Sequence, residues 1–386
     1  MLDFARQYAS LRQELLEAIT QVCDSQAFIL GPSVAAFEIS AAAACCTSFA
    51  VGCASGTDAL WLAIATSGIG ASTGIGGGSG TGDAVITTPF SFFASASAII
   101  RAGARPVFAD IDPRTFNIAP DSVEEVFRGA AGRHVRAILP VHLYGQCADF
   151  DALDRLAENR DIPLLEDAAQ AFGATWHGRP AGSLGAAAAF SFYPTKNLAA
   201  MGEAGLVTTS DEKIAARARS LRSHGMTRRY YHDEMGWNAR MDGIQAAILE
   251  VKLRHLAEWT EQRRERADRY DELLRAAGLV SEGSVTEGVV LPWADPRAGH
   301  VFHQYVIRAP RRDALRDHLT QLGIGSEIYY PVPLHLQDAF SELGYRPGDF
   351  PESEAAAREV LALPIYPELR DDEQQAVVEA IRSFYA

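Results

Sequence analysis

Four short stretches of this 386-residue chain each place a chemically able side chain just after an apolar run. In AFSFYPTKN (Ala189–Asn197), the run delivers Ser191, and Pro194 interrupts regular structure before Lys196. A lysine in such a place is ordinarily a solvated surface charge. Here it lies between that run and the small-residue stretch LAAMGEAG (Leu198–Gly205), where loss of water would lower its pKa and free the neutral amine as a nucleophile. No GxxxxGK precedes it, so it is not a P-loop lysine. In LLEDAAQAFGA (Leu164–Ala174), Glu166 and Asp167 end an apolar run ahead of helix-prone AAQA. Acids there either cap a helix or face a ligand at the carboxyl end of a parallel strand. In ASGTDALWLAI (Ala54–Ile64), Gly56 permits close backbone approach, Thr57 offers a hydroxyl, and Asp58 opens a helix. The start of that helix is either a plain cap or a phosphate cradle. In TTPFSFFASASA (Thr87–Ala98), Phe92 is either core or a platform for a flat ring. The combination narrows these alternatives. Pyridoxal phosphate needs a phosphate cradle, a stacking ring, an acid on its pyridine nitrogen and an amine that forms its Schiff base.

The elements that must position these residues follow from the pattern around them. Between Ala54 and Val207, short apolar runs at Ala84–Thr88, Pro106–Ala109, Ala137–Val141, Pro163–Glu166 and Ala187–Phe192 read as strands covered on both faces. Helical stretches such as Ser91–Ala102 and Phe150–Asn159 separate them, which predicts an α/β domain with a mostly parallel sheet between helices. A long helical pattern over Asp242–Leu274 carries Leu249, Leu253, Leu256 and Trp259 on one stripe and reads as a bridge between domains. Beyond it, His303–Arg308, Arg311–Leu322, Gly325–Tyr330, Ser353–Leu361 and Asp371–Phe384 predict a smaller α+β C-terminal domain. The expected division is an N-terminal helix over 1–26 packing with the small domain, a large domain over 27–250, and the linking helix with the small domain over 251–386. Ser67–Gly82 is glycine-rich, but no three of its glycines make GxGxxG, and it reads as a surface insertion without chemistry.

Composition limits the function classes. A net charge of -14 disfavours a duplex nucleic-acid binder, while leaving room for a phosphate held by local amides. The five cysteines are odd in number and lack CxxC spacing, so they read as buried thiols of a reducing compartment, with no zinc or other metal site. The first residues form an amphipathic helix without a signal-peptide core. No apolar run reaches the ~18–20 residues that a membrane span needs, and a cytoplasmic location is expected.

The pieces SGTDAL (Ser55–Leu60), EDAAQA (Glu166–Ala171), SFYPTKN (Ser191–Asn197) and NARMDGIQAAILEVKL (Asn238–Leu253) resemble the DegT/StrS sugar aminotransferases, within the aspartate-aminotransferase fold, fold type I. The resemblance runs from FILGP at Phe28–Pro32 to LPIYPEL at Leu363–Leu369. It implies that Lys196 forms the Schiff base and moves protons, the cofactor passing through its pyridoxamine form. It implies that Asp167 keeps the pyridinium charged, that Gln170 bonds the ring hydroxyl, that Phe92 stacks on the ring, and that Gly56, Thr57 and Ser191 hold the phosphate. Asn238 would reach the phosphate from the partner subunit, which makes the chain a homodimer with shared sites. Arg240, Tyr330 and His335 would lie on the substrate side. The implied reaction carries an amino group from an amino acid, L-glutamate by expectation, to a keto nucleotide sugar. QAAILEVKL (Gln245–Leu253) looks like the enzymes that act at a 3-keto rather than a 4-keto carbon. Two departures stand out: Ser67–Gly82 replaces a compact turn, and Gly202–Gly205 reads GEAG where relatives often carry a GDGG-like stretch. The rivals are a dehydratase, whose members carry His in place of Lys196, a regulatory protein that keeps the fold, and a nicotinamide-dependent oxidoreductase.

Overall fold

The computed structural model describes residues 3–70, 82–281, 283, 285–286 and 288–386, so most of the glycine-rich insertion lies outside the described residues. Its main sheet contains β1 (Phe49–Cys53), β2 (Ala84–Thr87), β3 (Arg105–Phe108), β4 (Val135–Ile138), β5 (Leu165–Asp167), β6 (Ala187–Ser191) and β7 (Gly205–Thr209). Two ribbons, β1-β7-β6-β5 and β3-β2-β4, join through parallel bridges at Ile138–Leu164 and Val141–Asp167. β7 runs antiparallel to both β1 and β6, so the other strands share one direction. The sheet is therefore mixed but mostly parallel.

Apolar residues fill both faces, as unalternating runs require. Ala187, Ala189 and Val207 pack on one side with α3 (Gly56–Thr66), α4 (Ala94–Arg101) and α7 (Glu212–Leu221). Ala188, Phe190 and Leu206 pack on the other with α2 (Pro32–Ala44), α5 (Pro120–Arg128) and α6 (Phe150–Glu158). β1 and β7 were not foreseen. Gly52 dilutes β1, and Gly205, Thr208 and Thr209 dilute β7, which hides them among turn residues.

The long helix expected over Asp242–Leu274 is two: α8 (Gly243–Leu253) and α9 (Leu256–Ala276). The chain turns at Arg254–His255, where His255 takes φ -97° and ψ -9° and stacks its ring on Trp259. Neither Gly nor Pro marks the break, and the apolar stripe crosses it. α1 (Phe4–Ser25) starts at Asp3, whose carboxylate accepts from the N–H groups of Ala5 and Arg6. Its Leu11 and Leu15 pack on Ile248 and Val251 of α8, while Arg6 pairs with Glu373 at 2.7 Å.

A second core gathers around the antiparallel pair β8 (Tyr305–Arg308) and β9 (Val360–Leu363), covered by α10 (Arg312–Gln321), α11 (Pro351–Glu359) and α12 (Asp371–Tyr385), and it takes in Phe90, Phe116, Val141 and Tyr144 from beside the main sheet. The helix expected over Ser353–Leu361 ends at Glu359, because the chain turns extended at Val360 and becomes β9. Gly325–Tyr330 contributes only a bridge, Glu327 to Ala362. Of the cysteines, Cys45, Cys53 and Cys147 are buried as expected, whereas Cys23 and Cys46 are exposed.

Candidate active site

The carboxyl ends of β1, β2, β5 and β6 lead into the residues singled out above. At the end of β1, Ser55 is extended, and its Oγ accepts the N–H of Asp58, capping α3. The first amides of α3 thus aim the positive end of the helix at the sheet edge. The backbone is close there: a Cβ on Gly56 would stand 2.5 Å from Ser191 Cβ, and one on Gly205 would stand 2.1 Å from Ser55 O. That explains the GEAG variant: its last glycine is the one that geometry demands, while Glu203 is exposed.

β5 presents two acids to opposite faces, as alternate strand residues must. Asp167 is buried and accepts from Ser95 Oγ at 2.6 Å and from the N–H of Ala169 at 3.2 Å. Burial raises its pKa; the two hydrogen bonds and the nearby Lys196 pull the other way. The carboxyl is thus a desolvated acid, and a cationic group beside it would favour its charged form. Glu166, on the other face, accepts from the N–H groups of Gly182, Leu184 and Gly185 and contacts His142 Nε2 at 3.1 Å. His142 Nδ1 accepts the N–H of Ala148, so its Nε2 carries the proton and donates to Glu166. Glu166 is a buttress rather than a reacting group.

Lys196 follows β6 through a turn closed by its own N–H on Tyr193 O at 2.8 Å. Desolvation brings its pKa down to about 8 against the opposing pull of Asp167. Asn197 anchors the turn to the small domain: its Nδ2 donates to Val301 O, leaving Oδ1 for His303 Nδ1 at 3.2 Å. Gln170 is buried, with Oε1 accepting the N–H of Tyr144 at 2.7 Å and Nε2 donating to Tyr330 Oη at 3.0 Å. Phe92 stands with 57% of its surface exposed, its ring 6.1 Å from that of Tyr330. An exposed aromatic face beside a buried acid suits a flat aromatic ligand.

Asp167 and Ser191 thus end β5 and β6, Gly56 and Thr57 begin α3, and Lys196, Gln170 and Phe92 stand on the turns after β6, β5 and β2, while Tyr330 meets Gln170 and Phe92 from a loop of the C-terminal part. Asn238 and Arg240 lie on a segment beside the end of β1, where Arg240 pairs with Cys53 and Arg240 Nε donates to Asn238 Oδ1. Asn238 is exposed. His335 is placed otherwise than expected of a substrate contact. Its side chain is buried against Phe350 and bonded to Glu354 at 3.2 Å, so it supports the loop. Sequence reasoning missed Ser95, Tyr144, His142 and Asn197. Ser95 alone carried a signal, one helical turn beyond Phe92 in a run of small residues.

The match to known proteins follows this geometry. The model of the DegT/DnrJ/EryC1/StrS aminotransferase family fits residues 9–382. The chain belongs to that family. A "Pleiotropic regulatory protein" of Geobacillus stearothermophilus is 47% identical over 385 residues, covering 100% of this chain and 98% of that one. A "UDP-N-acetyl-3-dehydro-alpha-D-glucosamine 3-aminotranferase" of Acidithiobacillus ferrooxidans is 39% identical over 99% of this chain and 96% of its own. The crystal structure of S. venezuelae DesV "in complex with ketimine intermediate" superposes with a TM-score of 0.90 at 40% identity, over 99% of this chain and 97% of that one. This DegT-family chain is therefore a fold type I, pyridoxal-phosphate-dependent sugar aminotransferase. Its residues fit the cofactor: a buried acid, a glycine-lined helix start, an exposed ring face and a lysine of lowered pKa. Among the described residues, no helix is long and apolar enough to cross a membrane.

Proposed function

We propose that this protein moves the amino group of an amino acid, L-glutamate in the first instance, to the 3-keto carbon of a nucleotide sugar. The observation that carries the reading is Lys196, an amine with a pKa of about 8, set near the buried Asp167 at the end of a parallel sheet. Position 3 is favoured by the ending QAAILEVKL and by the Acidithiobacillus relative, whose name places the new amine there.

Bound pyridoxal phosphate supplies the electron sink for the carbon that gains or loses the amine. The chain's own residues do the rest. The amides of Gly56 and Thr57 and the hydroxyl of Ser191 hold the phosphate at the start of α3. Asp167, steadied by Ser95, keeps the ring nitrogen charged. Gln170 turns its Nε2 to the ring hydroxyl, and Phe92 covers the ring face. Lys196 takes a proton from the substrate carbon and returns it, work that is typically worth about 10²–10⁴ in rate. Arg240 and Tyr330 face the sugar. Asn238, exposed on one protomer, completes the phosphate site of a second copy, so the working unit is a homodimer. A regulatory relative without chemistry would have no use for Lys196 and Asp167, and both are in place.

The test is a panel of 3-keto and 4-keto nucleotide sugars, incubated with glutamate and followed by mass for gain of an amine. Amination of 3-keto members supports the reading. Amination of 4-keto members alone overturns the position, and no amination at all overturns the function.

A further inference from the structure

Tyr144 uses each of its polar groups on a different part of the site. It is fully buried in the turn after β4, with φ +58°, a left-handed conformation that bulky residues adopt only when their surroundings impose it. Its N–H donates to Gln170 Oε1 at 2.7 Å. Its carbonyl accepts from the N–H of Gln304, at the entry to β8, at 3.3 Å. Its hydroxyl donates to the carbonyl of Tyr329, and its ring packs edge-on to Phe116 at 5.6 Å.

Two consequences follow from donor and acceptor chemistry. An amide offers one oxygen and one NH₂ group. Because Gln170 Oε1 takes the Tyr144 peptide N–H, Nε2 must point the other way, into the site, where it reaches Tyr330 Oη. The Tyr144 hydroxyl meanwhile holds the peptide just before Tyr330. The same residue thus fixes a donor on the large domain and the loop of the small domain that meets it.

We infer that Tyr144 is a positioning residue whose hydroxyl latches the Tyr329–Tyr330 segment over the site, while its peptide N–H independently sets the direction of Gln170. The two roles are separable, because Tyr144→Phe removes the hydroxyl and keeps the N–H. The inference rests on the proposed function only in taking Tyr330 to face the sugar. The loop backbone is also tied on either side, by Glu327 paired with Ala362 and by the Leu334 N–H donating to Pro89 O, so the latch governs the Tyr329–Tyr330 peptide between those ties. Phe90 and Phe92 meet the Tyr330 ring by apolar contact, and Gln170 holds its hydroxyl rather than the loop backbone.

The experiment compares wild type, Tyr144→Phe and Tyr330→Phe as full chains. It measures dissociation of pyridoxal phosphate by its visible band, hydrogen exchange over residues 324–333, and KM and kcat with a 3-keto nucleotide sugar. The loss of one hydrogen bond predicts about a tenfold rise in sugar KM for Tyr144→Phe. Exchange over 324–333 should quicken several-fold, with cofactor dissociation within about twofold of wild type. Unchanged exchange and unchanged KM in Tyr144→Phe would overturn the latch. So would a cofactor dissociation constant that rises as far as KM, since Tyr144 would then act through the cofactor site as a whole. If no sugar on the panel reacts with wild type, the proposed substrate fails, and the exchange and cofactor measurements still decide the latch.

Discussion

The protonation state of Lys196 yields a prediction that needs no sugar. A lysine with an ordinary pKa of 10.5 would be neutral in only ~0.03% of molecules at pH 7. With its pKa brought down to about 8, roughly one molecule in ten carries the neutral amine, a gain of ~300-fold in the form that attacks a carbonyl. The cause is desolvation, and the nearby Asp167 carboxylate opposes it by favouring the charged amine. The rate at which cofactor-free protein captures pyridoxal phosphate should therefore climb about tenfold per pH unit up to about pH 8, then level off. Removing the opposing charge in Asp167→Asn should move the bend to lower pH, because only desolvation then acts on the amine. Stopped-flow absorbance after mixing at a series of pH values reads the rate. Lys196→Ala sets the background, and a free amine of ordinary pKa corrects for the titration of the cofactor itself. A rate that keeps climbing tenfold per unit from pH 8 to pH 10 would show an ordinary, hydrated lysine and refute the reasoning. A bend that moves upward in Asp167→Asn would refute the part assigned to Asp167.

Three further outcomes follow from the same geometry. Glu166→Gln should lower stability by about 3 kcal/mol, because any placement of the new NH₂ sets a donor against a backbone N–H or forces His142 into a tautomer that clashes with Ala148; a thermal melt should fall by ~4 °C, with the visible cofactor band retained. Gly56→Ala, whose new methyl meets Ser191 Cβ at 2.5 Å, should weaken pyridoxal phosphate binding by at least about tenfold, read by titration of the cofactor-free protein. Co-expressing Lys196→Ala with Asn238→Ala should recover activity that each variant lacks alone; recovery of none would speak against sites shared between subunits.

Much of the site could be read before the fold was seen, because each key residue stands where an apolar run stops. Lys196, Asp167 and Phe92 are found that way, since a strand buried on both faces leaves a plain mark in the sequence and its end is where ligands collect. What escaped detection depends on contacts far apart in the chain. Ser95 matters because α4 turns its hydroxyl to Asp167, and Tyr144 because a loop nearly two hundred residues on lays a carbonyl against it. Nothing local distinguishes such a tyrosine from its neighbours, and the serine is marked only by its place one helical turn beyond Phe92. The break at Arg254–His255 was hidden for another reason: it involves no residue that forbids a helix, and the apolar stripe passes through it. His335 misled in the opposite sense. A histidine in a loop suggests function, yet burial lowers its pKa and Glu354 holds it in the core.

The adjacency of Glu166 and Asp167 makes the reading frame of β5 a point of fragility. One acid holds together the turn that feeds β6, and the next is the one proposed to serve the cofactor, so scaffold and chemistry are one peptide bond apart. A single residue gained or lost within the strand would rotate the pleat by half a turn and exchange their places. The longer side chain would enter the site, and the shorter would be left short of the backbone N–H groups of Gly182, Leu184 and Gly185. Substitutions at either position can be compensated singly, but a slip in frame damages both functions at once. Length changes in this chain should therefore be tolerated where the glycine-rich insertion sits, ahead of β2, and rejected within β5.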